Sequence, residues 1–386
     1  MAKSELLSIL KTPSGITGLD EITSGGLPKG RPILVCGGPG CGKTLMAMQF
    51  LVKGITDYNE PGVFMSFEEP SNDLSENVKS LGFDLEKLKA EKKLKVDHVR
   101  IESAEIEETG EYDLEGLFVR LNYAIDSIGA KRVVLDTIES LFGGLSNQGI
   151  LRSEIRRLFH WLKEKGVTTI ITGEKGEVSL TRQGLEEYVS DCVILLDFRI
   201  VDQIATRRLR ILKYRGSTHG TNEYPFLIDE KGISVMPITS LKLDYGSCED
   251  IISTGLFSLD HLFSKNGIYR GTSTLITGTA GTAKTILASY FAMASCQRNE
   301  PVLYFSFEES PSQLIRNVKT LGLDFQPMID SGLLYIHSSR PSLQGLELHL
   351  LRIINLITNL KPKSVILDPI SSLVSIGTPN EVRSML

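Results

Sequence analysis

GGPGCGKT, running from Gly37 to Thr44, matches the phosphate-binding pattern G-x-x-x-x-G-K-[ST] at every fixed position. The apolar run at 33–36 before it reads as a buried strand, and 45–52 after it reads as a helix with one apolar face. A strand, a glycine-rich loop and a helix in that order form the setting in which the motif counts as a phosphate site. Gly37, Gly38, Gly40 and Gly42 let the backbone turn tightly enough for several N–H groups to point at one anion. The helix that starts near Lys43 adds its positive end. Lys43 is placed to reach the β- and γ-phosphates of a nucleotide, and the Thr44 hydroxyl to ligate Mg²⁺.

The rest of the chain is organised around a second copy of this unit. SGITGLDEITSGGLPKGRPILVCGGPGCGKT is echoed by STGLFSLDHLFSKNGIYRGTSTLITGTAGTAKT, so Lys43 falls on Lys284. VFMSFEEPSNDLSENVKSLGFDL from Val63 is echoed by LYFSFEESPSQLIRNVKTLGLDF from Leu303, and RVVLDTIESL from Arg132 by SVILDPISSL from Ser364. A period of about 240 residues is that of whole domains, not of a solenoid repeat. The sequence therefore predicts a tandem duplication, with residues 1–243 as the first domain and 244–386 as the second. The linker falls around 240–250, where periodicity is lost. The second copy is shorter: it ends in EVRSML, where the first has the start of a helix, so its later strands are expected to be missing and a sheet edge left unpaired.

In the first copy, strand patterns at 32–36, 63–67, 94–98, 132–136, 167–172 and 192–197 are separated by helical stretches at 43–56, 71–81, 114–128 and 148–165. Leu117, Leu121, Ala124, Ile125 and Ile128 show helical periodicity. Such alternation predicts an α/β fold with a mostly parallel sheet flanked by helices. Patterns at 207–213 and 225–229 then predict a terminal antiparallel meander.

Bulk properties exclude several classes. The 386 residues exceed one ordinary core; 41% are hydrophobic and 23% charged, as in globular proteins. A net charge of −5 and a pI of about 5.8 argue against a general nucleic-acid binder. No apolar run approaches the ~20 residues of a membrane span, and MAKSELLSIL lacks the features of a secretory signal, so a cytoplasmic protein is expected. Cys36, Cys41, Cys192, Cys248 and Cys296 form no C-x-x-C pair, which gives no disulfide or metal signal. Cys41 lies inside the loop, either as a point where an oxidant would act or as a tolerated variable position.

Three further groups are candidates for chemistry. Val133-Val134-Leu135-Asp136 is an apolar strand ending in an acid that can hold the Mg²⁺ water shell. Glu68 and Glu69 close a strand, where a carboxylate can orient the water that attacks the γ-phosphate; a solvated pair at a helix start would look the same. The pair recurs as Glu308 and Glu309. Lys213 and Arg215 are spaced i, i+2 on one strand, which puts both on one face. They fit either a charged edge strand or a cation pair that reaches a phosphate across a subunit boundary.

Taken together, GLDEITSGGLPKGR, GGPGCGKT, FEEP, ENVKSLGFDL, RVVLDTIESL, GLEEYVSDCVILL and KYRGSTHGTNEYPF resemble the KaiC family of RecA-superfamily clock ATPases over the whole first copy and the front of the second. The resemblance implies a RecA-like fold, ATP and Mg²⁺ as ligands, and a homohexamer with ATP between protomers. It places Gly40, Cys41, Gly42, Lys43, Thr44 and Leu45 around the phosphates, with Ser80 and Asp229 as further nucleotide contacts. It makes Glu68 and Glu69 catalytic, and gives Lys213, Tyr214, Arg215, Ser217 and His219 to the segment that reaches the neighbour's nucleotide. In the second copy it assigns Thr282, Ala283, Lys284, Thr285 and Ile286 to the loop, Glu308 and Glu309 to catalysis, and Thr285, Glu308 and Asp368 to the metal. It also implies clock or signalling proteins as partners.

Two features depart from the family's pattern. Ala283 replaces the glycine before the lysine, which costs about 1 kcal/mol if φ is positive there. The family's autophosphorylated Ser–Thr pair and second K-x-R-G segment match nothing up to Leu386, and Ser371-Ser372 follow Asp368 too closely to be that pair. The expectation for this chain is therefore ATP hydrolysis without autokinase activity. The alternatives are a RecA- or DnaB-like motor on DNA, which would need a basic loop such as KGEVSLTRQGLEE after Glu174, and a nucleotide-gated scaffold with negligible turnover.

Overall fold

The computed structural model describes residues 9–99, 114–142, 148–176, 190–201, 204–237, 248–340 and 345–376. The chain forms two compact units, 1–241 and 242–386.

The first unit is built on nine strands: β1 (Pro32–Gly37), β2 (Gly62–Ser66), β3 (Leu94–His98), β4 (Arg132–Asp136), β5 (Thr168–Glu174), β6 (Cys192–Val201), β7 (Ile204–Tyr214), β8 (Glu223–Asp229) and β9 (Gly232–Val235). Their order across the sheet is β9-β8-β7-β6-β1-β5-β4-β2-β3. β1 through β6 pair in parallel, whereas β6-β7, β7-β8 and β8-β9 are antiparallel. This is the expected α/β architecture, a parallel sheet extended by an antiparallel meander. β1 lies near the centre because the strands that follow it in the chain are laid on both sides.

Alternation along each central strand divides the core. Ile33, Val35, Phe64, Val134 and Ile170 face one cluster, and Val63, Met65, Val133, Leu135 and Ile171 face another. The first face is covered by α1 (Lys43–Tyr58), whose Met46, Ala47, Phe50, Leu51 and Ile55 recur at helical spacing and are buried. The second is covered by α4 (Glu115–Ile128), α5 (Ile138–Phe142) and α6 (Gln148–Glu164); α2 (Ser71–Lys79) and α3 (Leu85–Ala90) link β2 to β3. Asp136 has the parity of Val134, so it emerges on the α1 face, where the phosphate loop curls.

Arg132 opens β4 fully buried, with every polar group matched. Nε donates to Glu60 (2.7 Å), and the two terminal nitrogens donate to the carbonyls of Phe50 (2.8 Å) and Pro13 (2.9 Å). The guanidinium also stacks on Phe50 at 4.4 Å. A Cβ on Gly54 would lie 2.4 Å from Arg132 Cδ, so the arginine and the glycine require each other. In the second unit the same two positions are Ser295 and Ser364, whose hydroxyls meet at 3.1 Å. Gly54→Ser alone is expected to cost about 1–3 kcal/mol through overpacking. Combined with Arg132→Ser it should cost less than the sum of the single changes, by on the order of 1 kcal/mol. Urea unfolding of the four chains measures that coupling.

The second unit repeats the β3-β2-β4 portion of this sheet: β11 (Leu334–Ser338), β10 (Val302–Ser306) and β12 (Ser364–Asp368) are parallel and ordered β11-β10-β12. α7 (Lys284–Gln297), α8 (Pro311–Lys319) and α9 (Leu346–Leu360) match α1, α2 and α4. The counterpart of β1 does not form a strand. Leu275 and Ile276 are 73% and 42% exposed, where Leu34 and Val35 are fully buried. In the first unit β1 is held by β5 and β6; among the described residues of the second no strand flanks this stretch. Among the described residues the stretch leading into the second phosphate loop is thus left unpaired, in addition to the sheet edge that sequence reasoning anticipates.

Candidate active site

The first loop leaves β1 through Gly37, where an added Cβ would sit 2.4 Å from the Leu196 carbonyl oxygen. It enters α1 through Gly42 at φ +102°. At Gly38 and Gly40 an added Cβ meets nothing within 4 Å, so the cradle is open. Lys43 Nζ bends back over the loop and donates to the carbonyls of Gly37 (2.8 Å) and Gly38 (3.1 Å). Cys41 is buried, and burial raises its thiol above the ordinary value even though Lys43 and Arg207 pull the other way. It is a packed thiol, not a ready thiolate.

Thr44 Oγ1 donates to Asp136 Oδ2 at 2.9 Å, and the Thr172 hydroxyl of β5 donates to Oδ1. Asp136 is 6% exposed. Burial raises its carboxyl above the ordinary range; the two hydroxyls oppose this, and the nearby charges of Glu68 and Glu69 add to it. Glu68 Oε1 accepts from Thr137 Oγ1 (2.6 Å) and Ser140 Oγ (2.7 Å), which fixes it beside Asp136. Glu69 is held instead by its backbone on Ser66 Oγ and by a long contact from Asn77. The two glutamates thus differ in placement, and Glu68 is the one tied to the Asp136 corner.

The meander closes the loop from the other side. An added Cβ on Gly42 would lie 3.1 Å from Ile228 Cδ1, and Gln49 of α1 bonds both the carbonyl and the N–H of Ile233. Asp229 is at this hairpin's tip, and the Glu230 carbonyl approaches Gly82, two residues after Ser80. Leu45 follows the loop directly, Ile228 brings the Asp229 hairpin against Gly42, and Gly82, two residues after Ser80, lies beside that hairpin's tip. Lys213, Tyr214, Arg215, Ser217 and His219 lie away from the loop. Tyr214 pairs with Cys192, which pairs with Ile33, so this segment stands at the start of β1, the opposite end of the sheet from the phosphate loop.

The shared face expected for Lys213 and Arg215 is corrected. β7 ends at Tyr214, the pairing shifts at Val193/Ile194, and Arg215 lies in the turn, its N–H on the Asp191 carbonyl at 2.9 Å. Tyr214 spends its side chain within its own unit, donating to the Gly26 carbonyl (2.8 Å). Ser217 Oγ bonds the Thr218 carbonyl. His219 lies 6.3 Å from the Tyr214 ring, and its pKa is lowered by burial and then by Lys11.

Sequence reasoning missed Thr172, Thr137, Ser140 and Arg207. Arg207 stacks 4.6 Å over Phe198, just past the strand end beside the loop. Among the described residues its Nε is buried without a hydrogen bond. Of the segment KGEVSLTRQGLEE, residues 177–187 lie outside the described residues.

The second loop repeats the first locally. Lys284 Nζ donates to the carbonyls of Gly278 (2.9 Å) and Thr279 (2.8 Å), and Glu308 Oε1 accepts from Ser372 Oγ (2.9 Å). Ala283 adopts φ +66°, the left-handed conformation that costs a non-glycine residue about 1–2 kcal/mol. Thr282 bonds the Thr279 carbonyl, Ile286 follows Thr285 in the first turn of α7, and Glu309 is held on Ser306 as Glu69 is on Ser66.

The hydroxyl of Thr44 and the carboxylate of Asp136 are hard oxygen donors that suit Mg²⁺, which prefers a few protein oxygens together with phosphate and water. Among the described residues no group of three or more His, Cys, Asp or Glu forms a metal cage. At neutral pH the raised Asp136 is a liability without a cation, because its favourable contribution is present below the ordinary carboxylate pKa and lost as pH rises through the raised one. Asp136→Asn should raise the melting temperature of the metal-free protein at pH 7 by about 2–4 °C, with the gain shrinking as pH falls toward 4. It should also remove the stabilisation given by Mg²⁺ with ATP. Scanning calorimetry with and without Mg²⁺ and ATP reads both effects.

A parallel sheet whose central strand runs into a lysine-bearing glycine loop, with a buried aspartate at the end of the next strand but one, defines a RecA-like P-loop nucleotide-binding protein. The family model described as "ATPase: KaiC" matches residues 12–240 and 252–386, and the chain belongs to the KaiC ATPase family. It is 56% identical over 381 residues to the circadian clock protein KaiC2 of Synechocystis sp., covering 99% of this chain and 67% of that one. It is 38% identical over 385 residues to the circadian clock oscillator protein KaiC of Synechococcus elongatus, covering 99% and 74%. The corresponding protein of Thermostichus vulcanus is 39% identical over 380 residues, covering 98% and 73%. Among the described residues no helix is long and apolar enough to cross a membrane.

Proposed function

We propose that residues 1–243 form an ATPase that binds ATP with Mg²⁺ and hydrolyses it slowly in a homohexameric ring, and that residues 244–386 form a second nucleotide-binding domain of regulatory character. Gly40, Cys41, Gly42, Lys43, Thr44 and Leu45 surround the phosphates, with Ser80 and Asp229 beside the nucleoside. Thr44 and Asp136 hold Mg²⁺, which offsets phosphate charge when bound. Glu68 orients the attacking water and accepts its proton, and Glu69 supports it from the neighbouring position.

The observation that carries the ring is the placement of Lys213 and Arg215 at the far end of β1 from their own loop. There they serve a neighbour's nucleotide and not their own. Rings with such head-to-tail contacts close when the rotation between copies allows it. In the second domain, Thr285, Glu308 and Asp368 are the corresponding metal and catalytic groups, and Glu309 the partner of Glu308. Autokinase activity is not assigned to this chain. Clock or signalling proteins as partners rest on the relatives' names, and a cytoplasmic location on the sequence.

Sizing the protein with and without ATP and Mg²⁺ tests the reading. A species near six protomers that appears only with nucleotide supports it. A monomer that still hydrolyses ATP removes the interfacial site, and binding with no phosphate release leaves a nucleotide-gated scaffold.

A further inference from the structure

The end of β5 touches three parts of the first unit's site in succession. The Thr172 hydroxyl reaches Asp136, the Glu174 N–H donates to Glu139 Oε1 at 2.6 Å, and the Lys175 N–H donates to the Gly37 carbonyl at 3.1 Å. That carbonyl also takes Lys43 Nζ, so the strand end is joined to the phosphate loop itself. Glu139 is buried on α5 and lies in the chain between Thr137 and Ser140, whose hydroxyls both hold Glu68 Oε1. Gly173 makes room for it: an added Cβ there would sit 3.2 Å from Glu139 Oε1.

A helix of five residues cannot hold itself in water and takes its place from what it packs on. Ile138 and Leu141 give α5 an apolar anchor in the core, but apolar contacts set a direction less sharply than a hydrogen bond does. The Glu139 bond adds that direction. It refers α5, and with it the two hydroxyls on Glu68, to a strand end that is itself bonded to the phosphate loop. Attack by water needs a set distance between the Glu68 carboxylate and the γ-phosphate, and small misplacements are costly.

We propose that Glu139 is a positioning residue for hydrolysis: it fixes α5 to the end of β5 and so holds Glu68 at its working distance from phosphates bound in the loop. It acts through Thr137 and Ser140, not on the nucleotide. The inference rests on Glu68 orienting the attacking water and adds the residue that sets where Glu68 stands.

The test uses the full chain with ATP and Mg²⁺, and reads phosphate release at saturating ATP beside affinity for a non-hydrolysable ATP analogue. Glu139→Ala should lower turnover on the order of tenfold, short of the ~hundredfold that a 1 Å misplacement can cost, and leave affinity within about twofold. Glu139→Gln keeps an oxygen that can accept the Glu174 N–H and should recover most of the loss. In a Glu68→Gln chain the same Glu139→Ala change should cost almost nothing further, because the group it positions is already lost. A merely structural role would lower the rate alike in both chains. Gly173→Ala presses on the Glu139 carboxyl from the strand side; it should lower turnover severalfold, and it keeps the test decisive if Glu139→Ala folds poorly. The proposal is overturned by wild-type turnover in both Glu139→Ala and Gly173→Ala, by a glutamine variant no better than the alanine one, by an equal loss of affinity, or by a full loss in the Glu68→Gln chain. Wild-type turnover in Glu68→Gln alone would instead break the reading of Glu68 beneath it.

Discussion

Lys43→Ala is expected to weaken ATP binding on the order of a hundred- to a thousandfold while the first unit stays folded. The ammonium group rests on the carbonyls of Gly37 and Gly38, at 2.8 and 3.1 Å, and both partners are neutral. A phosphate oxygen is a far better acceptor, because a charge-assisted bond is roughly twice as strong as one to a neutral group. The lysine can therefore transfer from loop to ligand at small cost. Its removal takes away the one full positive charge inside the loop and leaves the amide dipoles and the start of α1, which alone hold an anion weakly. The two carbonyls lose a donor at a half-buried position and regain water, so the fold should lose only about 1 kcal/mol. Titration calorimetry with ATP and Mg²⁺ measures the first quantity and thermal unfolding the second. Unchanged affinity would take Lys43 out of the site.

Much of this site is legible in the sequence, because its parts are punctuation marks of the chain. Four glycines and a lysine after an apolar run leave little freedom of interpretation, and Asp136 and Glu68 end strands whose apolar runs are clear. Repetition adds weight, since Glu308 and Asp368 recur in the same settings. The hydroxyls were not legible. Thr172 lies in TTIITGE and Ser140 in IESLF, where threonine is an ordinary strand former and serine an ordinary helix-end residue. Only the register of β5 beside β1 and of α5 under Glu68 gives them a role.

Arg215 illustrates a different limit. Its spacing from Lys213 suggests a shared strand face, but the strand carries an irregularity at Leu212 and ends at Tyr214, leaving Arg215 in the turn with its N–H on the Asp191 carbonyl. Such a bulge follows from how two distant segments meet, not from either one alone. The exposed Leu275 and Ile276 show the converse. An apolar run predicts burial only if partner strands pack against it, and in the first copy those partners, β5 and β6, begin about 130 residues or more downstream of β1.

Arg215→Ala is expected to lower ATP hydrolysis in the assembled ring by about a thousandfold, the lower end for a cation supplied by a neighbour, with little change in fold stability. The side chain is 52% exposed and 3.9 Å from Asp191, a carboxylate also engaged by Arg31 at 3.4 Å and Lys163 at 3.3 Å. With two other cations in place, Asp191 stays compensated when Arg215 is lost. The loop of the same chain is out of reach, because four residues of β1 separate the two ends, about 13 Å of strand before the loop begins. A same-chain role therefore cannot produce the effect, and mixing two inactive chains can reveal the other. Glu68→Gln chains keep Arg215 but lose the water-orienting carboxylate, while Arg215→Ala chains keep Glu68. In mixed rings about a quarter of interfaces join an intact loop to an intact arginine from the neighbour, and hydrolysis should return in that proportion. Rings of Arg215→Ala alone that hydrolyse at the wild-type rate, or mixtures that recover nothing, would confine Arg215 to its contact with Asp191.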